Sequence, residues 1–149
     1  MSGAPLSDPY LGLAYYYNGE TTRAEAVLEE LGRTPSASAS ARGRSTLAAL
    51  MAARGERARA TELVRDVAAG KYMDHHVANS LGAACAQLGR AEEAVEWLRK
   101  AAETGFPCHP WYARDPLLGP LHGHAAFEAF LKAEDTRAAG VLKSIGLVK

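Results

Sequence analysis

The sequence of 149 residues contains little that favours β-structure. It has one isoleucine and seven valines against 30 alanines and 17 leucines, and aromatic residues make up only 7% of the chain. β-Branched residues favour strands, whereas alanine and leucine favour helices. We therefore expect an all-α fold, and the length fits a single domain over residues 1–149 with its own hydrophobic core.

Three further absences restrict the function. The 17 basic and 17 acidic side chains leave no formal net charge, so the electrostatic signature of a nucleic-acid-binding protein is missing. No apolar run reaches the roughly 18 residues of a membrane span. The first residues, Met1 to Pro5, lack the basic and apolar segments of a secretory signal. We expect a cytoplasmic protein that binds neither nucleic acid nor membrane.

Cysteine is also scarce, with Cys85 and Cys108 as the two examples. Without a secretory signal, such a pair is expected to stay reduced. Cys85 falls on the apolar face of a predicted helix, where a small thiol packs like alanine. Cys108 falls in a proline-rich loop and is expected to be the more accessible of the two.

No motif of a known catalytic class is present. The chain contains no G-x-S-x-G, P-loop or G-x-G-x-x-G sequence. Cys108 and His109 are adjacent, and adjacent residues rarely orient for proton transfer. Together with His122 and His124 they suggest a metal-binding tail or metalloenzyme as the least favoured alternative, because no C-x-x-C or H-x-x-x-H spacing occurs. We expect no catalytic residue, no cofactor and no metal.

Three glycines mark a pattern that recurs along the chain. Gly19 and Gly55 are 36 residues apart, and Gly55 and Gly89 are 34 apart. Each follows an apolar stretch and precedes a charged, alanine-rich stretch. Glycine tolerates the left-handed backbone that ends a helix, so the pattern predicts pairs of helices joined by turns at these positions.

The flanks of the three glycines carry the same residue types. Spacings of three and four predict the buried stripe of an amphipathic helix, and the small residue after each first leucine leaves room for a crossing helix. The aligned residues are Leu11, Gly12, Tyr15, Ala24, Leu28 and Leu31, then Leu47, Ala48, Met51, Ala60, Val64 and Val67, then Leu81, Gly82, Cys85, Ala94, Leu98 and Ala101.

This pattern resembles the tetratricopeptide repeat, a helix-turn-helix unit of about 34 residues with Leu-Gly-x2-Tyr in its first half and Ala-x3-Phe in its second. Leu11-Gly12 with Tyr15 matches this part of the first half, and Leu81-Gly82 matches it with Cys85 in place of tyrosine. The tryptophan that comes earlier in the family's first half is absent from all three units. Leucine or valine replaces the phenylalanine of the second half. The resemblance implies an α-solenoid of three hairpins, at about 5–38, 41–74 and 75–108.

The following segment resembles the end-of-group segment that closes many bacterial tetratricopeptide arrays. The residues that carry this resemblance are Asp115-Pro116-Leu117-Leu118, Pro120-Leu121, and Phe127 with Phe130-Leu131. Asp115 is expected to cap a short helical turn, and the apolar side chains to cover the third repeat, as a helical cap over 109–149. Trp111 and Tyr112 are expected to pin the preceding loop onto this cap. A last short helix that packs back is predicted from Val141, Leu142, Ile145 and Leu147.

The resemblance implies a non-catalytic adaptor or scaffold that binds a protein or peptide in a concave groove lined by the first helix of each pair. The expected groove residues are Leu13, Tyr16, Tyr17, Arg42, Ser45, Ala49, His76, Asn79 and Ala83. Chaperone-binding members of the family hold a peptide carboxylate with Lys, Asn and Arg side chains on these helices. In this sequence, three of those positions are occupied by Pro9, Leu13 and Thr46. We therefore expect an apolar or weakly acidic peptide as ligand. Tyr16 and Tyr17 are interpreted either as groove aromatics or as a cover for the hairpin edge.

Other interpretations remain open. Residues 41–74 hold seven basic and four acidic side chains, so this segment either attracts an acidic partner or forms ion pairs on its helix surfaces. One alternative function is a self-associating assembly subunit, a homo-oligomer that uses Trp111, Tyr112 and the basic segment. The chain is interpreted either as an independent adaptor or as the C-terminal domain of a longer signalling protein.

Overall fold

A computed structural model describes residues 8–147, and this part of the chain forms helices and turns without any strand. The predicted all-α class is therefore confirmed. The helices are α1 (Pro9–Tyr17), α2 (Thr21–Gly32), α3 (Ala37–Ala53), α4 (Arg57–Ala68), α5 (His75–Gln87), α6 (Ala91–Thr104), α7 (His109–Arg114), a 3-10 helix (Pro116–Leu121) and α8 (Ala125–Ser144). None of them combines the length and the apolar character that crossing a membrane requires.

The same turn follows α1, α3 and α5. Gly19, Gly55 and Gly89 have φ angles of 82°, 85° and 75°, in the left-handed region that favours glycine. The amide of the residue after each glycine donates to the carbonyl five positions earlier, at 2.8–2.9 Å. This is the hydrogen bond of a Schellman helix end. The prediction that each glycine ends one helix and opens a turn is confirmed.

Two glycines inside helices permit close helix packing. A Cβ atom at Gly12 would lie 2.5 Å from Leu28 Cγ, and one at Gly82 would lie 2.7 Å from Leu98 Cδ2. These distances are too short for any larger residue at the packed α1–α2 and α5–α6 contacts. The predicted role of the small residues at these positions is confirmed.

The connection over residues 34–40 is shorter than its serine and proline content suggests. Helix α3 begins at Ala37, because the Ser36 hydroxyl accepts a hydrogen bond from the Ala39 amide at 3.4 Å. The Ser40 hydroxyl donates to the Gly32 carbonyl at 2.6 Å. The second half of the serine-rich segment therefore belongs to the helix.

Helix α3 lies at the centre of the molecule. It contacts α1, α2, α4 and α5, and its residues 45–52 are all buried. Helix α5 in turn contacts α3, α6 and the 3-10 helix. The chain after α6 is therefore packed directly on an inner helix of the bundle.

The end of the chain differs from the expectation of a separate helix that packs back. Helix α8 continues without a break through this region, since no proline and no turn occurs between Ala125 and Ser144. Its first half buries Phe127, Phe130 and Leu131, as predicted. The prediction that the last apolar side chains pack back is wrong, because Val141 and Leu142 in α8 and Ile145 and Leu147 after it are 40–70% exposed. Residues 1–7 and 148–149, which include the start of the first predicted repeat, lie outside the described residues.

Candidate functional site

Asp115 organises the segment between α7 and the 3-10 helix. Its carboxylate accepts a hydrogen bond from the Leu117 amide at 3.0 Å, and Pro116 occupies the first helical position, where no amide donor is needed. The predicted cap is therefore confirmed. The same carboxylate accepts a hydrogen bond from the Tyr17 hydroxyl at 2.6 Å, across 98 residues of sequence. This contact ties the chain after α6 to the end of α1.

Burial raises the pKa of both partners of this contact. Asp115 is 7% exposed, and burial raises the pKa of its carboxyl group, while the donors Tyr17 and Leu117 oppose that shift. Burial and the hydrogen bond to Asp115 raise the pKa of the Tyr17 hydroxyl, which therefore stays protonated and donates. The pair acts as a fixed structural contact.

A cavity of about 640 Å³ opens beside this contact. Its wall is mostly apolar, and its volume lies in the range of pockets that hold small ligands or peptide side chains. The lining residues are Tyr17, Cys108, Pro110, Trp111, Arg114, Asp115 and Pro116. Five of these seven come from the segment between α6 and the 3-10 helix, Pro116 is the first residue of that helix, and Tyr17 comes from α1.

Aromatic packing holds the wall of the cavity in place. The Tyr112 side chain is fully buried, donates its hydroxyl to the Phe106 carbonyl at 2.5 Å, and meets the Phe130 ring edge-on. The Trp111 ring meets Phe106 edge-on at 6.0 Å. Tyr112 therefore pins the loop onto α8 as predicted, whereas the ring contact of Trp111 is with Phe106 in the loop itself. Because Tyr112 is buried, it offers no surface for the self-association considered from the sequence.

The predicted groove residues are distributed between the core and the surface. Leu13, Ser45, Ala49 and Ala83 are buried. At one point the side chain of Tyr10 reaches α5, where its Oη atom lies 2.7 Å from His76 Nδ1. Four other predicted residues are half-buried: Tyr16, Arg42, His76 and Asn79. Tyr17 is 43% exposed and is the one predicted groove residue that lines the cavity.

Arg42 and His76 belong to a separate polar cluster near the start of α5. Arg42 Nη2 lies 2.5 Å from Asp74 Oδ2, and the Tyr72 hydroxyl donates to the same oxygen at 2.8 Å. Burial opposes ionisation of Asp74, but its hydrogen bonds, including one from the Val77 amide, outweigh burial and lower its pKa. The positive charge of Arg42 is therefore already neutralised within the chain.

The histidines of the tail do not converge. His109 Nδ1 lies 4.0 Å from Asp135, His122 Nδ1 lies 4.0 Å from Glu128, and His124 Nε2 lies 3.3 Å from Glu92 on α6. Within residues 8–147, no group of three His, Cys, Asp or Glu side chains is placed to hold a metal ion. The metal alternative therefore receives no support from the side-chain positions.

The two cysteines differ as expected. Cys85 is buried, and burial raises the pKa of its thiol to about 12. Cys108 is half-buried and lines the cavity. The cavity therefore has one thiol at its edge, while the second thiol is protected inside the core.

The basic segment mostly forms ion pairs on the surface. Arg54 pairs with Glu25 at 2.7 Å, Arg65 pairs with Asp66 at 3.1 Å, and Arg59 pairs with Glu25 and Glu29. These contacts favour the ion-pair interpretation over an acidic-partner surface. Arg114 differs, since it is exposed and forms no ion pair with a carboxylate in the described part of the chain.

The groove predicted on the inner helices includes none of the cavity residues Arg114, Pro110 and Pro116. Asp115 and Pro116 indicated a cap, and Trp111 and Tyr112 indicated a pinned loop or a self-association surface. No protein-family model matches the sequence, and no curated protein or solved structure is significantly similar to the chain.

Proposed function

We propose that the chain is a non-catalytic adaptor of the tetratricopeptide type, built as a solenoid of three hairpins over about 5–38, 41–74 and 75–108. Support comes from the three equivalent glycine turns and from the close α1–α2 and α5–α6 contacts at Gly12 and Gly82. The segment after α6 acts as the closing cap. Two free cysteines agree with a cytoplasmic location, where thiols stay reduced.

The adaptor binds a peptide segment of another protein in the cavity beside the Tyr17–Asp115 contact. The observation that carries this proposal is the cavity itself: about 640 Å³, with apolar walls from Tyr17, Trp111 and two prolines. Peptide-recognition sites commonly use such rigid aromatic and proline-rich surfaces. Most of the groove expected from the sequence is buried or half-buried, so the cavity replaces it as the main contact surface.

Cys108 provides a direct test of the site. Random peptides displayed on phage are selected on the wild-type protein, and binding of the selected peptides is measured before and after treatment with N-ethylmaleimide. We expect alkylation of Cys108 to place a bulky group at the cavity and abolish binding, whereas buried Cys85 does not react.

The Cys108→Ser protein is the matched control. It should bind the same peptides and stay insensitive to N-ethylmaleimide. If no peptide is selected, or if alkylated wild-type protein binds as well as untreated protein, the proposed function at this cavity is wrong.

A further inference from the structure

Arg114 is the one cationic side chain among the residues that line the cavity. It is exposed, and no described carboxylate lies within ion-pair distance of it. Most of the described arginines pair with acids of this chain, as Arg42 does with Asp74 and Arg90 with Glu93. The cavity therefore combines apolar walls with a cation that the chain leaves unneutralised.

Asp115 does not neutralise Arg114 even though the two are adjacent in sequence. The Asp115 carboxyl group is turned to the Tyr17 hydroxyl and the Leu117 amide, and it is 7% exposed. The carboxyl group of Asp115 is therefore engaged elsewhere and forms no ion pair with the Arg114 guanidinium group.

The ring of Tyr17 remains available although its hydroxyl is engaged. The side chain is 43% exposed and forms part of the cavity wall, while the hydroxyl is held by Asp115. A ligand therefore meets an aromatic face from Tyr17, the ring of Trp111, and two prolines. These surfaces suit a large apolar side chain, and the guanidinium suits a carboxylate beside it.

Building on the proposed function, we infer that the cavity recognises an internal peptide segment in which a large apolar residue stands next to an aspartate or glutamate. The apolar side chain enters the cavity. The neighbouring carboxylate pairs with Arg114 at the edge, where an exposed charge contact improves affinity by roughly two- to fivefold.

Two short peptides test this inference. One is a capped Phe-Asp peptide, amidated at its end so that no terminal carboxylate remains, and the other is its neutral Phe-Asn counterpart. Binding is followed by NMR titration of the Trp111 indole signal in a Trp97→Phe protein, which retains Trp111 as the only tryptophan. We expect Phe-Asp to bind roughly two- to fivefold more tightly than Phe-Asn.

Charge reversal makes the test specific. In Arg114→Glu, we expect a capped Phe-Lys peptide to bind more tightly than Phe-Asp. The matched control is Arg99→Glu, since Arg99 on α6 is also exposed, forms no ion pair among the described residues, and lines no described cavity. This control should keep the preference for Phe-Asp.

The outcomes separate this inference from the proposed function. Equal binding of Phe-Asp and Phe-Asn to the wild type would overturn the acidic ligand and leave peptide binding intact. A Phe-Asn peptide with a free terminal carboxylate that binds as tightly as amidated Phe-Asp would assign the contact to a chain terminus and overturn the internal segment. If no peptide shifts the Trp111 signal, and none is selected on phage, both proposals fail. An equal loss in Arg99→Glu would show a general charge effect and also overturn the pairing with Arg114.

Discussion

Tyr17 contributes in two ways that substitution can separate. Its ring forms part of the cavity wall, and its hydroxyl donates to the buried Asp115 at 2.6 Å. Tyr17→Phe keeps the ring and removes the donor, so a buried carboxyl group loses a hydrogen bond. We expect the free energy of unfolding, measured by urea denaturation, to fall by about 1–3 kcal/mol.

Tyr16→Phe is the matched control for this change. Tyr16 precedes Tyr17 on α1 and is half-buried, but its hydroxyl forms no hydrogen bond within residues 8–147. Its loss should change the free energy of unfolding by no more than about 0.5 kcal/mol. Equal losses in the two variants would mean that the hydroxyl of Tyr17 adds no stability.

The lowered pKa of His76 predicts that the stability of the protein depends on pH in the weakly acidic range. Burial and the neighbouring His75 lower its pKa from 6.5, so the folded protein releases this proton more readily than the unfolded chain. The contribution of His76 to the free energy of unfolding is therefore complete above the pKa that it has in the unfolded chain. It is lost as the pH falls through the lower pKa that it has in the folded protein. We expect the free energy of unfolding to decrease below about pH 6.5.

His76→Gln should reduce this decrease. The measurement is a series of urea denaturations between neutral pH and about pH 5, which lies above the pKa values of unperturbed Asp and Glu side chains. A slope that His76→Gln leaves unchanged would assign the pH dependence to other groups. The 2.7 Å contact between Tyr10 Oη and His76 Nδ1 holds the ring in place, and which atom donates depends on the protonation of the imidazole.

At the scale of the helix, substitution of alanine for glycine is expected to change the free energy of unfolding in opposite directions at two helical positions. Gly82 lies in α5 where a Cβ would approach Leu98 Cγ and Cδ2 to 2.7–2.8 Å, and Leu98 is fully buried and cannot move away freely. Gly140 lies in α8 with no atom within 4 Å of a Cβ position. The same substitution therefore tests packing at one site and helix propensity at the other.

We expect Gly82→Ala to lower the free energy of unfolding by about 1–3 kcal/mol, because overpacking displaces the crossing helix. Gly140→Ala should raise it by about 0.5–1 kcal/mol, because alanine loses less backbone entropy than glycine in a helix. Thermal and urea denaturation measure both. A stabilising Gly82→Ala would contradict the close α5–α6 contact.

Local signals explain why most helices were predictable and why α8 was not. Gly19, Gly55 and Gly89 and the stripes around them depend on residues a few positions apart, and these helices follow the expected pattern. At the end of the chain, Val141, Leu142, Ile145 and Leu147 suggested a separate last helix. No proline occurs between Ala125 and Ser144, however, and α8 continues through this segment. Helix continuity therefore prevailed over the apolar pattern, and the last turns extend into solvent.

The cavity depends on contacts that no local pattern contains. Its two sides meet through Tyr17 and Asp115, which are 98 residues apart. The sequence showed Tyr17 as a candidate surface aromatic and Asp115 as a cap, and both interpretations describe real features. Their contact, and with it the position of Arg114, follows only from how the segment after α6 packs beside α5 and α1.

At the scale of the whole molecule, the same contact links the start of the described chain to its later part. In a linear helical array each unit contacts only its neighbours, and the ends unfold independently. Here Tyr17 at the end of α1 bonds to Asp115, and Gln87 at the end of α5 donates to the Leu117 carbonyl at 2.7 Å. Loosening the segment around Asp115 should therefore also loosen α1.

Amide hydrogen exchange on Asp115→Ala tests this coupling. Loss of the carboxylate removes both the cap of the 3-10 helix and the acceptor for Tyr17, so we expect faster exchange in the 3-10 helix and also in α1. The control is Val64→Ala in α4, which opens a buried site without touching either element. If α1 exchanges no faster in Asp115→Ala than in the control, the contact does not transmit stability. The cavity lies between Tyr17 of α1 and the segment that leads into the 3-10 helix. Faster exchange confined to α1 and the 3-10 helix would show that the two sides of the cavity open as one cooperative unit.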